Sequence, residues 1–387
     1  MDYEFTKDQE MIREAARDFL QQECPKDKVR HLREDEKAYD PAMWKGMVDL
    51  GWMGVVLPEE YGGIGGEFLD LLILMEEMGK NIMPSPFFST VALCSMPILK
   101  YGTDSQKNEN LTAIATEGRI WTLAINEVEA DYQASDVKLA ASASGDGYLL
   151  NGKKLFVPYA KSAEKMIVVA RTADRENPEE GVTVFLVDAQ SPGITFAPMP
   201  VTARDARCEV TFTDVAAPKA SVLGEIDRGW EIVEYILTYA PVLKAAEMAG
   251  GVQAILNITT KYAGERIQFG KPIGSYQAVQ HRLVDLLTQA EGLRYVVYEA
   301  AWKINSGEPS KLLSSMAKLK ANHVYQRACI DGIYLHGAIG FTEELDIGLY
   351  HIRSKAFEFD LGGSDLHRDR IVHELSTFKP PFATLWA

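Results

Sequence analysis

The apolar residues of this chain change their spacing twice, and that double change limits the folds open to it. From 1 to 118 they recur at three- and four-residue intervals, as on the buried stripe of a helix. From 119 to 227 they alternate, as on strands with one buried face. From 228 to 387 helical spacing returns in long stretches. The pattern predicts an α+β chain in three parts: an N-terminal all-α domain, a middle antiparallel β domain of barrel-like form, and a C-terminal four-helix bundle.

Local signals agree. Thr6 and Gln9 have capping-box spacing, ahead of an apolar stripe of Ile12, Ala15, Ala16, Phe19 and Leu20 that Pro25 stops. Asp40-Pro41 starts a helix with Trp44, Met47 and Leu50 on one face and Gly51 at its end. Residues 68 to 78 form an almost wholly apolar helix. In the middle part, strands are expected at 121–125, 148–150, 153–157, 166–170, 182–187, 194–198 and 209–212. Asn151-Gly152 sits between two of them as a two-residue hairpin turn. The bundle helices are expected at 230–266, 277–304, 311–339 and about 345–375. Ala245, Ala246, Ala249 and Gly250 on the first of them predict close helix packing.

Charge narrows the partners. With 40 Lys+Arg against 55 Asp+Glu the net charge is −15, a surface that repels nucleic acid. No apolar run approaches the roughly 18 residues of a membrane span. Cys24, Cys94, Cys208 and Cys329 have no metal-ligand spacing and are expected as core thiols in a reducing cytoplasm. The acidic N-terminus lacks the apolar segment of a secretory signal. The glycines of 58–66 suggest a phosphate loop, but no βαβ unit surrounds them. No metal is expected.

Four motifs in order then carry a resemblance. Arg266-Ile-Gln-Phe269-Gly270-Lys-Pro272-Ile-Gly-Ser-Tyr276-Gln277-Ala-Val-Gln280 is the most specific. With it go Pro58-Glu59-Glu60-Tyr61-Gly62-Gly63, Asn151-Gly152-Lys153-Lys154, and His336 to Glu344. Together they resemble the acyl-CoA dehydrogenase family over essentially the whole chain.

The resemblance implies a flavoprotein that converts an acyl-CoA thioester to its α,β-enoyl form. A carboxylate removes the α-proton and the β-hydrogen leaves as hydride to flavin N5. It implies FAD as cofactor, an electron-transferring flavoprotein as acceptor, and a dimer or tetramer, in some branches of unlike subunits. Arg266 matches the arginine that reaches a neighbouring subunit's FAD pyrophosphate. Read alone, it is a surface ion-pair partner of Glu265. Phe269 matches an aromatic beside the adenine half and Gln277 an amide on the FAD. Gly337, next to His336, matches a backbone position close to the partner's FAD. His336 itself reads as a core or interface histidine.

On the flavin-ring side the chain departs from the family. The segment usually reading A-x-T-E-P-x-x-G-S-D is here 124–136, without the proline and about three residues longer. Asn126 takes the place of a flavin-bonding threonine, and Ser135 keeps its place before Asp136. Phe156 and Pro158 replace the usual W-x-T, and Pro158 lacks a backbone N–H. Leu361 occupies the position of the family's usual catalytic glutamate, and Pro241 that of its alternative. The remaining base candidates are Asp360, one residue away, and Glu127, Glu129 and Asp131 of the lengthened segment, each otherwise a solvated loop charge. Gly363, Asp365 and His367 lie in a G-x-x-D-x-H-R ending of less typical branches; Gly363 and Asp365 are expected on the cofactor side, and Asp365 and His367 are expected to pair. Three readings follow: a dehydrogenase with a displaced base, a base-less partner subunit of a heteromeric dehydrogenase, or a flavoprotein of other acyl-CoA chemistry.

Overall fold

The computed structural model describes residues 5–128 and 131–377. Helix α1 (Lys7–Glu23) starts with the expected reciprocal cap. Gln9 N–H donates to Thr6 Oγ1 at 3.2 Å, and Thr6 N–H to Gln9 Oε1 at 3.1 Å. Helices α2 (Lys26–Leu32) and α3 (Pro41–Asp49) follow, with Pro41 in the first turn of α3. Trp44 and Met47 are buried, but Leu50 is exposed: it caps the helix and leaves the stripe just before Gly51 turns the chain at φ 74°. Helix α4 (Phe68–Asn81) is buried along most of its length. A π-helical stretch (Phe88–Ser95), α5 (Met96–Tyr101) and α6 (Asp104–Glu117) complete this part.

The middle part is an eight-stranded sheet of β1 (Trp121–Ala124), β2 (Ala140–Ser144), β3 (Gly147–Pro158), β4 (Lys165–Arg171), β5 (Val182–Asp188), β6 (Ile194–Met199), β7 (Arg207–Pro218) and β8 (Val222–Leu223). Its order is β6-β7-β3-β2-β4-β5-β8, and β1 joins β4. Most neighbours run antiparallel, as the alternation predicts. Strand β1 departs from this and pairs with β4 in parallel, as β2 does with β4 at Ala140 and Arg171. The hairpin expected at Asn151-Gly152 is also corrected. Strand β3 runs through both residues, with a register shift against β7 between Leu150 and Gly152. The tight turn lies earlier, at Gly145-Asp146 between β2 and β3, where Gly145 takes φ 58°. An Asn-Gly pair thus marks a bulge here rather than a reversal.

The last part is helical: α7 (Trp230–Glu265), α8 (Gln277–Asn305), α9 (Lys311–His336), α10 (Ile347–Phe359) and α11 (Ser364–Thr377). Helix α9 stops at His336, since Gly337 leaves helical geometry at φ 65°. The single fourth helix expected at 345–375 is broken into α10 and α11 at Asp360–Gly363, where Leu361 and Gly362 take φ 61° and 106°. Lys318 of α9 explains the break. Its fully buried amine donates to the carbonyls of Phe357 (2.8 Å), Glu358 (3.1 Å) and Gly362 (3.4 Å), groups that a continuing helix would have used.

The small residues of α7 serve a close crossing with α4. A Cβ on Gly250 would stand 1.9 Å from the Glu76 carbonyl oxygen, and one on Gly79 would stand 1.8 Å from that of Glu247. The two helices meet backbone to backbone, each through the other's glycine. The glycine loop at 58–66 has the same kind of role: a Cβ on Gly63 would meet the Leu57 carbonyl at 2.0 Å, so the loop packs on itself.

Candidate active site

A cleft opens where the three parts meet. Phe88 lines it from the N-terminal part, and Asn126, Tyr132, Phe156 and Pro158 from the middle part. Lys244, Glu247, Arg353, Asp360 and Leu361 line it from the helical bundle, with Asp205 and Arg207 from the start of β7. Phe156 reaches this position through local backbone geometry. It stands at φ 54° on a bulge near the end of β3 and is 40% exposed. Bulges turn a side chain out of the pleat in this way. The Pro158 carbonyl accepts from Thr122 Oγ1 at 2.5 Å.

Of the candidate bases among the described residues, only Asp360 lines the cleft. Arg207 Nη2 donates to both its oxygens at 3.1 Å, and the Lys244 amine stands 3.8 Å away. Burial opposes the charge on Arg207, but Asp205 and Asp360 overcome it and hold the guanidinium cationic. Leu361 is buried beside Asp360, and its N–H donates to Tyr132 Oη at 3.1 Å. Asn126 Nδ2 donates to the same hydroxyl at 3.1 Å. Burial, then the nearby Asp360 charge, raises the Tyr132 hydroxyl above its usual range.

The other carboxylates are elsewhere. Glu127, expected as a base, is a structural anion: its Oε1 accepts from the Lys154 amine at 2.7 Å and from the N–H groups of Lys138 (3.0 Å) and Leu139 (3.1 Å). Lys154 is fully buried, and burial lowers its proton affinity despite Glu127. Asp131 is exposed and lines no part of the cleft. Glu129 lies outside the described residues. Pro241 is buried within α7 and does not line the cleft. Ser135, expected toward the cofactor, is exposed and donates to Asp136 at 3.3 Å.

The expected Asp365–His367 pair does not form. Asp365 points to solvent and pairs with Arg368, while His367 is buried under the Gly362 turn with neither ring nitrogen hydrogen-bonded. Burial, followed by the charges of Lys318 and Arg370, pushes His367 down to about 3. The ring is therefore neutral in the folded chain and takes up a proton near pH 6.5 when unfolded. Stability should be retained above pH 6.5 and fall as pH drops from there toward 3. The slope approaches about 1.4 kcal/mol per pH unit for one proton. Thermal midpoints measured from pH 8 to 4 should show this loss, and His367→Gln should flatten the slope by one proton.

A second cluster lies away from the cleft. Arg266 ends α7, and β9 (Ile267–Gln268) and β10 (Lys271–Pro272) form a ribbon whose turn is Phe269-Gly270. Both turn residues have positive φ, 51° and 83°, and Phe269 is 91% exposed. Arg266 is exposed, and no ion pair joins it to Glu265 among the described residues. Gln277 opens α8 and is exposed. His336 is buried, stacked on Tyr262 at 4.2 Å, with Nδ1 2.8 Å from the Gly332 carbonyl and Nε2 unpartnered. Burial lowers its pKa. A Cβ on Gly337 would meet nothing within 4 Å. Gly363 precedes α11 at the end of the broken helix. An unpaired guanidinium, an exposed aromatic ring and an open glycine fit a phosphate-linked aromatic cofactor such as FAD. The exposed face of Phe156 fits a flavin ring at the cleft.

Arg207, Lys244, Glu247, Arg353 and Tyr132 were not legible as site residues from sequence reasoning. One signal existed. Lys244 and Glu247 stand three apart inside the otherwise apolar middle of α7, and both are buried.

Known proteins match along the whole length. The acyl-CoA dehydrogenase N-terminal, middle and C-terminal domain models match residues 6–118, 122–215 and 227–376. The probable acyl-CoA dehydrogenase YngJ of Bacillus subtilis is 31% identical, covering 97% of this chain and 100% of its own. The structure of butyryl-CoA dehydrogenase from Megasphaera elsdenii superposes with a TM-score of 0.91 at 27% identity, covering 97% and 100%. A chain of the ChsE4–ChsE5 complex from Mycobacterium tuberculosis gives 0.88 at 25% identity, covering 98% and 100%.

Proposed function

Because the chain belongs to the acyl-CoA dehydrogenase family, FAD-dependent oxidoreductases acting on acyl-CoA thioesters, we propose that Asp360 is its proton acceptor. The observation that carries this reading is the position of Asp360 beside Leu361 on the wall of the cleft that Phe156 also lines. Bound FAD supplies the two-electron acceptor for the β-hydrogen. Phe156 and Asn126 flank the ring side, and Leu361 gives the acyl group an apolar surface. Arg207 fixes the Asp360 carboxylate, whose oxygens each keep a free lone-pair direction for the α-proton. The isolated, flavin-loaded protein assayed with a panel of saturated acyl-CoAs tests this. Turnover that appears only when a second, unlike chain is added would favour the partner-subunit reading. Leu361 at the usual base position, and the likeness to a chain of a two-protein complex, support that second reading.

Arg266, Phe269, Gln277, His336 and Gly337 form, in this reading, the surface that receives the FAD of a neighbouring subunit in a dimer or tetramer. Asn126, Ser135, Phe156, Pro158, Gly363 and Asp365 belong to the chain's own flavin side. Arg266→Ala should then weaken FAD retention roughly ten- to a hundred-fold, the size of a charge-assisted hydrogen bond. Dilution followed by gel filtration and flavin absorbance checks it, and a variant as yellow as the parent counts against the assignment. Electrons pass on to an electron-transferring flavoprotein, as the family resemblance implies. Four buried free thiols support a reducing cytoplasm as the working compartment. No described helix is long and apolar enough to cross a membrane.

A further inference from the structure

The cleft holds six buried or half-buried charges, and their hydrogen bonds do not divide evenly. Arg207 is fully engaged: its Nε donates to Asp205 at 2.9 Å and its Nη2 to Asp360. Lys244 donates one hydrogen bond, to Glu247 at 2.6 Å, and is held between the rings of Phe88 and Phe357 at 4.0 and 4.1 Å. Arg353 donates none among the described residues. Its nearest anion is Asp205 at 3.9 Å, an oxygen that Arg207 already occupies. Yet Arg353 is 7% exposed and lines the cleft. A guanidinium offers five N–H donors in a planar fork, and buried donors in folded proteins are almost always paired. The cleft that Arg353 lines encloses a space of about 80 Å³. A single water needs roughly 10–15 Å³ by the same measure, so the cleft has space for several waters or for one small ligand group.

We propose that the acyl group carries a second carboxylate at its far end, received by Arg353 with Lys244 beside it. This rests on the acyl-CoA reading above and names the substrate class within it: short ω-carboxyacyl thioesters. Charge decides against a hydroxyl. Asp205 and Asp360 share Arg207, and Glu247 has Lys244, so Arg353 is the cation left without a hydrogen-bonded anion. A planar carboxylate matches the fork of a guanidinium in two parallel bonds, and a hydroxyl does not.

Calorimetry with the flavin-loaded protein and three non-reactive CoA thioethers of equal length tests the proposal. The probes are S-butyl-CoA, S-(3-hydroxypropyl)-CoA and S-(3-carboxypropyl)-CoA. The carboxylate probe should bind roughly ten- to a hundred-fold more tightly than the butyl probe, the range for a charge-assisted pair. Arg353→Gln should erase that preference, read as the ratio of the butyl and carboxylate dissociation constants, and Arg353→Lys should keep part of it. Equal binding of the butyl and carboxylate probes by the parent protein overturns the inference. So does hydroxyl binding as tight as carboxylate binding, or a preference that survives Arg353→Gln. Failure of all three probes to bind removes the acyl-CoA reading itself, and the inference with it.

Discussion

Asp360→Asn in the flavin-loaded protein should lower kcat by about 10² to 10⁴, the usual contribution of a general base. The replacement is nearly isosteric. Its amide oxygen still accepts from Arg207, so the link between β7 and the end of α10 should persist and the fold with it. FAD content and acyl-CoA affinity should change little, which separates lost proton transfer from lost binding. Stopped-flow reduction of the flavin by a saturated acyl-CoA reads the step directly. An unaltered rate would move the base elsewhere, either to Glu247 across the cleft or to an unlike subunit.

Glu127→Ala should do the opposite. Among the described residues it removes the sole carboxylate on Lys154, an ammonium with no exposure, and leaves the Ile125 carbonyl at 3.0 Å as its remaining acceptor. Stranding one member of a buried ion pair typically costs about 3–5 kcal/mol. The N–H groups of Lys138 and Leu139 lose their acceptor as well. Chemical denaturation should show that loss, while the folded fraction keeps near-normal turnover per bound flavin. A large fall in kcat at unchanged stability would restore Glu127 as a catalytic group.

The contrast between these two acids shows what spacing and composition convey. The three-part organisation was legible because apolar periodicity reports which face of each element is buried. The same holds for the cap at Thr6 and the proline start at Pro41, which depend on residues three or fewer apart. Asn151-Gly152 misled because a pair that accommodates positive φ suits a bulge as well as a turn, and only the partner strand distinguishes them. The break between α10 and α11 was hidden for a related reason: its cause, the Lys318 amine, arrives from another helix. The site suffered most. Glu127 and Asp360 are both acidic residues near atypical segments. One meets a lysine from β3 and the other an arginine from β7, contacts that sequence proximity does not contain. Arg353 carried no local signal, since its lack of a hydrogen bond depends on what Arg207 has already occupied.

The reciprocal glycine contact of α4 and α7 has a consequence for how this cleft selects its ligand. Lys244 and Glu247 project from the turns of α7 that adjoin the crossing. Backbone resting on backbone has no side chain that can change rotamer to absorb strain. The α7 wall is therefore a fixed template, and a bulkier acyl group is refused there rather than accommodated. New specificities in descendants of this chain must arise across the gap, at the ends of β3, β7 and α10, where the walls are made of loops and side chains that can be exchanged.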